Sequence, residues 1–222
     1  MMKKRGLLVA LLVLVTSMSM SAQASISWTD LTSVDGKTVY GSLVVDSQTV
    51  GVSVTNTASY AFVQTSGGTN WWDGSAYTIG SVNCAPPTSD LIALSTGGSV
   101  TVTFSQAVTN PILGLVSWNG NTVEFGTDIS FLSYGQGHFG NGTPVINAGG
   151  TGFYGSGEVH GLLQVEGTFT SFTFTNTSEY WHGFTIGAEG LPPSPSVPVP
   201  AAAWLLGSGL LSLVGLRRRI RE

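Results

Sequence analysis

An all-β body is the fold predicted by this 222-residue chain, a single jelly-roll-like β-sandwich flanked by an N-terminal signal peptide and a short C-terminal transmembrane helix. Three observations predict it. Between residues 25 and 190 no segment sustains a 3.6-residue apolar period. Alternation with period two recurs instead, rich in Val, Phe and Thr, which is the mark of a half-buried strand. Turn chemistry punctuates the runs at Asp35-Gly36, Gly67-Gly68, Ala85-Pro86-Pro87, Gly97-Gly98, Asn119-Gly120 and Asn141-Gly142. The length admits one ordinary domain or two very small ones and excludes a large multidomain enzyme.

Residues 1–24 open with Lys3, Lys4 and Arg5, continue with nine apolar residues from Leu7 to Val15, pass through a polar stretch and end on Ala22-Gln23-Ala24. This is the layout of a secretory signal peptide cleaved after Ala24, with Ala22 and Ala24 as the small residues at the cut. Nine apolar residues fall well short of the roughly 20 that a bilayer span needs. The only cysteine is Cys84, so no lipid attachment follows the apolar run.

In the body, residues 25–190, about ten short strands are expected. Alternation places them at 50–55, 100–105 and 172–175, and apolar or β-branched runs add Thr38–Val45, Leu91–Leu94, Ile112–Trp118, 122–125, Ile129–Tyr134, Val159–Val165 and 184–186. Strands this short, with no helix among them, assemble most simply as two packed sheets. Residues 135–157 hold nine glycines and no acid, which predicts a long loop or a run of very short strands. A faint echo links 52–60 with 172–180: alternating strand, a Thr-Asn-Thr turn, then Tyr60 or Tyr180. A single pair is read as convergent turn chemistry rather than duplication.

Beyond the body, a Pro/Ser linker at 191–196 gives an extended spacer. Val197-Pro198-Val199-Pro200 follows, then sixteen uncharged residues at 201–216, then Arg217, Arg218, Arg219 and Arg221. A helix of that length reaches only about 24 Å, a short span that needs snorkelling arginines or a thinned bilayer. The arginines stop transfer and hold their end in the cytoplasm. The tail 197–222 resembles the C-terminal sorting signal of the PEP-CTERM class in its Val-Pro-x-Pro variant, matched at Val197, Pro198 and Pro200, in the helix and in the arginine cluster. Val199 stands where Glu stands in Pro-Glu-Pro. The resemblance implies a substrate of an exosortase-type sorting enzyme in a Gram-negative bacterium, exported, held at the inner membrane as an intermediate, then released to the cell surface or extracellular matrix.

Seven of the eight basic residues lie in the two ends, which leaves Lys37 as the body's only cation against eleven acids, a net charge of −10. Such a body has almost nothing with which to displace counterions from DNA or RNA, so nucleic acid is excluded as a partner.

A glycosidase needs two carboxylates about 5 to 9.5 Å apart across a cleft. Asp73, Asp90, Glu124, Asp128, Glu158, Glu166, Glu179 and Glu189 are available, with Glu124/Asp128 and Glu158/Glu166 the pairs nearest in sequence. Isolated acids at strand edges ordinarily keep edges soluble, and spacing selects no pair. The histidines are His138, His160 and His182, 22 residues apart, with no metal-ligand spacing and no Gly-x-Ser-x-Gly elbow. No catalytic residue, metal ligand or cofactor is therefore expected; no calcium-loop motif is present, although an acidic exported sandwich can bind calcium at unsignalled positions.

The better lead is aromatic. Asn70-Trp71-Trp72-Asp73 sets two indoles beside an amide and a carboxylate in a Gly/Ser-rich loop, suited to stacking a sugar ring while polar neighbours bond its hydroxyls. The competing role for either ring is to cap the core. Tyr180-Trp181-His182, and Tyr134 with His138-Phe139, offer similar material. The expected function is a non-catalytic surface or matrix protein that adheres to or organises exopolysaccharide. The alternatives are a polysaccharide-active enzyme, glycosidase or lyase, tested at Glu124 and Glu158, and a self-associating structural subunit of the matrix.

Overall fold

The computed structural model describes residues 25–87 and 89–192. The expected signal peptide with Ala22 and Ala24, and the expected sorting tail with Val197, Pro198, Pro200 and Arg217 to Arg221, lie outside the described residues. So does the helix expected at 201–216; among the described residues no helix is long and apolar enough to cross a membrane.

In chain order the strands are β1 (Ser27–Trp28), β2 (Asp30–Asp35), β3 (Thr38–Val45), β4 (Gln48–Asn56), β5 (Phe62–Gln64), β6 (Thr78–Ile79), β7 (Val82–Asn83), β8 (Leu91–Leu94), β9 (Gly98–Thr109) and β10 (Ile112–Trp118). There follow β11 (Thr122–Glu124), β12 (Ile129–Tyr134), β13 (Gln136–Gly137), β14 (Gly140–Asn141), β15 (Thr143–Ile146), β16 (Gly152–Ser156), β17 (Val159–Val165), β18 (Thr168–Asn176) and β19 (His182–Ala188). One 3-10 turn, Ser75–Tyr77, interrupts them. The all-β expectation holds and every strand expected from sequence forms, although β9 runs four residues beyond the expected 100–105 and β18 starts four residues before the expected 172–175. The glycine-rich 135–157 stretch is the run of very short strands, β13 to β16.

All the pairings are antiparallel, and they build two large sheets and two two-stranded ones, β6-β7 and β13-β14. The first runs β12-β17-β10-β19-β8-β5, with β1 alongside β19; the second runs β15-β16-β11-β18-β9-β4-β3-β2. From β8 to β19 the chain passes from one sheet to the other at every connection except the β13–β14 hairpin excursion and the β15–β16 hairpin. The sheets share one core, in which Val54, Val102 and Phe174 of the second sheet meet Leu113, Leu115 and Phe184 of the first. The Phe174 and Phe184 rings meet edge to face with centroids 5.5 Å apart.

The half-buried strands expected from alternation at 50–55, 100–105 and 172–175 form as β4, β9 and β18, all in the second sheet. On β18 buried Phe172 and Phe174 alternate with exposed Thr173 and Thr175. β8, β10 and β19 are buried at every position. Their continuous apolar runs are the pattern of strands covered on both faces. The cover is the segment 65–87, whose Trp72 and Tyr77 pack on Leu91, Ile112, Val116 and Leu162 in a second apolar cluster outside the first sheet. Gly114 makes room for it, because a Cβ there would stand 2.7 Å from Pro86 Cγ and 3.3 Å from the Trp72 ring.

Candidate functional site

Antiparallel order brings the end of β10, the start of β17 and the start of β19 to one end of the first sheet. There β10 carries one extra residue between Leu115 and Trp118 relative to β17, a bulge. Ser117 in that bulge takes a left-handed backbone, φ 59°, which a non-glycine side chain adopts only when its surroundings enforce it. The bulge turns the Ser117 hydroxyl onto Glu158, just before β17, and Oγ donates to Oε2 at 2.5 Å. Asn119 Nδ2 donates to the other oxygen, Oε1, at 2.8 Å. The Asn119 backbone N–H donates to Glu179 Oε2 at 3.3 Å. Behind Glu179, His182 is fully buried and holds Nδ1 3.1 Å from the same Oε2, an approach too far off line to be a hydrogen bond. Its Nε2 lies 3.3 Å from Asn176 Oδ1, and its ring lies 4.3 Å from the Trp118 indole.

Ser117, Asn119, Glu158 and Glu179 line an open cleft of about 390 Å³ together with Phe139, Tyr180 and Trp181. A second depression of about 440 Å³ lies across the Tyr180–Trp181 ridge, bounded by Ala61, Phe62 and Ser95. Tyr180 is 91 % exposed. Trp181 is backed by Trp71 at 5.2 Å, Phe62 at 5.3 Å and Phe139 at 5.4 Å between ring centroids. Trp71 also stacks on Phe139 at 5.8 Å, and His138 meets it edge-on at 5.1 Å.

Three aromatic segments that lie far apart in sequence thus converge, while none of the four residues expected to bind, Asn70, Trp71, Trp72 and Asp73, lines the cleft. Trp72 is only 3 % exposed and packs against Tyr77, so a sugar cannot stack on it; it caps the outer face of the first sheet. Asn70 is exposed, and its Oδ1 accepts the Trp72 backbone N–H at 3.0 Å, closing the local turn. Asp73 is exposed and its Oδ1 lies 2.7 Å from His138 Nδ1, which ties the 65–87 segment to the β13–β14 hairpin. Trp71 backs the cleft rather than lining it. Tyr134 packs on Phe131 at 6.2 Å, apart from this cluster.

His160 lies under the hairpin, fully buried. Its Nε2 accepts the Phe139 backbone N–H at 3.4 Å, which leaves the proton on Nδ1, facing the Tyr77 hydroxyl at 3.4 Å. Tyr77 in turn donates to Leu115 O at 2.9 Å. Burial pushes the imidazole down to about 4, although Glu158 pulls the other way, and burial raises the Tyr77 phenol well above its ordinary value. Gly137 permits the contact: a Cβ there would lie 2.2 Å from His160 Cγ.

The other acids are structural or solvated. Glu124 accepts from Asn147 Nδ2 at 2.8 Å and Thr151 Oγ1 at 2.5 Å, which pins the 147–151 turn, and it does not line the cleft. Asp90 is 2 % exposed and accepts from Leu31 N at 2.9 Å, with burial raising its pKa. Asp128, Glu166 and Glu189 are exposed. Cys84 is half-buried with a free thiol. Among the described residues no three His, Cys, Asp or Glu side chains gather as metal ligands.

Sequence reasoning did not select Ser117 and Asn119. Asn119-Gly120 reads as a turn, which it is, while a bulge residue leaves no mark in the period-two pattern. Comparison with protein-family models, with curated proteins and with solved structures finds no match to the chain.

Proposed function

We propose that this chain is an exported, exosortase-sorted protein of the cell surface or extracellular matrix, whose jelly-roll-like sandwich binds exopolysaccharide without catalysis. The observation that carries the reading is the cleft. Exposed Tyr180 and half-buried Trp181 line both depressions, and the oriented carboxylates of Glu158 and Glu179 line one of the two with them. Aromatic faces stack on the C–H face of a pyranose, while oriented polar groups select its substituents. Two depressions either side of one ridge suit a chain of sugars laid across it. Both Glu158 oxygens are engaged by donors from the scaffold, which fixes them as orienting acceptors.

The sorting part of the proposal rests on the resemblance of the tail to the PEP-CTERM signal, with an exosortase and the export machinery as partners and the inner membrane as a transient station. The function is tested by titrating the full-length chain, in a detergent without sugar headgroups, with the producing organism's exopolysaccharide and following tryptophan fluorescence. Saturable binding lost in a folded Trp181→Ala variant is the expected result; no binding overturns the proposal.

The second reading, a polysaccharide-active enzyme, is favoured by the placing of Glu158 and Glu179 on the same cleft. It predicts release of reducing ends by the purified chain, abolished in Glu158→Gln.

A further inference from the structure

We propose that the cleft selects a glycan bearing protonated amino groups, a polymer of de-N-acetylated amino sugars, with the ammonium held between Glu158 and Glu179 against the Tyr180–Trp181 ridge. The inference rests on the glycan-binding reading above and narrows it to a chemical class.

Four features converge on it. The lining of the cleft contains two carboxylates and no cation. Both are held in place, Glu158 by Ser117 and Asn119, Glu179 by the Asn119 backbone, so neither needs to be ordered when a ligand arrives. Phe139, Tyr180 and Trp181 share the lining with them, and the face of an indole or phenol attracts a cation while repelling an anion. Finally, His182, fully buried, aims Nδ1 at Glu179 from behind without completing a hydrogen bond, so the geometry leaves Glu179 acceptor capacity toward the open side.

The rest of the body agrees. Lys37 is its only cation, and its ammonium already donates to the Thr57 carbonyl oxygen. A uronic-acid polymer would approach a body of net charge −10 with no cation in the cleft to receive it. A neutral sugar gains from the rings but nothing from two carboxylates, which must be partly desolvated to admit it. An ammonium compensates that desolvation directly, and each carboxylate oxygen keeps a free lone pair to accept from it.

The test uses the full-length chain in the same detergent and three probes: a β-1,4-linked glucosamine hexamer, its fully N-acetylated counterpart, and a hexauronate. The expected result is saturable binding of the glucosamine hexamer at neutral pH, weakened by added salt, at least tenfold weaker binding of the acetylated hexamer, and none of the hexauronate. Glu158→Gln and Glu179→Gln should each narrow the gap between the two hexamers by at least fivefold. Asp128→Asn, which removes one exposed charge outside the cleft, should leave it unchanged. Near-UV circular dichroism establishes that each variant is folded. The proposal is overturned if the acetylated hexamer binds as tightly as the free amine, or if Asp128→Asn acts as strongly as the cleft variants, which would mark diffuse attraction to the acidic body. Equal, Trp181-dependent binding of both hexamers would leave the glycan-binding reading standing and remove only the amine selectivity. Failure of all three probes together with the native exopolysaccharide would remove both.

Discussion

His160 makes stability depend on pH with a sign and size that follow from its site. The folded imidazole is buried and neutral, pushed down to about 4, whereas in the unfolded chain it returns to about 6.5. Between those values the unfolded state binds more protons than the folded one, so the contribution is intact above pH 6.5 and is lost as pH falls toward 4. The full gap corresponds to about 3 kcal/mol, of which about 2 kcal/mol is lost between pH 7 and pH 5. Asp90 runs the other way, since its raised folded pKa makes low pH favourable. The experiment therefore compares wild type with His160→Gln, whose side chain can still accept from the Phe139 N–H. Urea unfolding at pH 7 and pH 5 should show a pH-dependent loss in wild type about 2 kcal/mol larger than in the variant. Equal losses, or a folded-state titration of the His160 Cε1 proton near 6.5, would refute the reasoning.

Three further outcomes follow from the packing. Trp72→Ala should lower stability by about 3–5 kcal/mol, as loss of a large buried ring does; Trp181→Ala should cost much less stability while abolishing glycan binding, with thermal unfolding and titration separating the two. Gly137→Ala should place a methyl 2.2 Å from His160 Cγ; the β13–β14 hairpin must then lift, carrying Phe139 off the cleft, so glycan affinity should fall about tenfold in a chain that stays folded. Asp90→Ala should leave the buried Leu31 N–H without its acceptor and cost about 1–3 kcal/mol in denaturant titration.

Much of the fold was legible because burial writes itself into residue period. The ends of Thr38–Val45, Ile112–Trp118 and Val159–Val165 coincide with the strands formed, since turn residues bound them on both sides. The echo between 52–60 and 172–180 has a structural counterpart. β4 and β18 flank β9 on either side, each ends on a buried Asn, and Thr57 and Thr177 each accept a neighbouring backbone N–H through Oγ1, from Ser99 and Thr122. The equivalence stops at the tyrosines. Tyr60 donates back into its own strand at Val54 O, 2.7 Å away, while Tyr180 stands in solvent. What the sequence could not display is the layer at 65–87, because its apolar residues follow no period and Trp72 and Trp71 are neighbours with opposite fates. The polar wall of the cleft was hidden for a different reason. Ser117, Asn119, Glu158 and Glu179 meet only through a bulge and two interstrand connections that no linear spacing records.

The placing of those four residues has a consequence for how the site works. Ser117 belongs to β10 itself, Glu158 is bonded directly to β17, and Glu179 leads within three residues into β19, three adjacent strands of one sheet. The strands are clamped together at that end by the Trp118 indole N–H, which donates to Gly183 O at 2.8 Å, and the aromatic wall is interlocked from the 65–87 layer, the hairpin and β5. A cleft anchored in this way has most of its geometry in place before a ligand enters, so little binding energy is lost to ordering loops. The ridge is the exception: Tyr180 makes none of the ring contacts that hold Trp181. A ligand entering the cleft would therefore meet carboxylates already oriented by Ser117 and Asn119 and, in Tyr180, a ring outside those contacts.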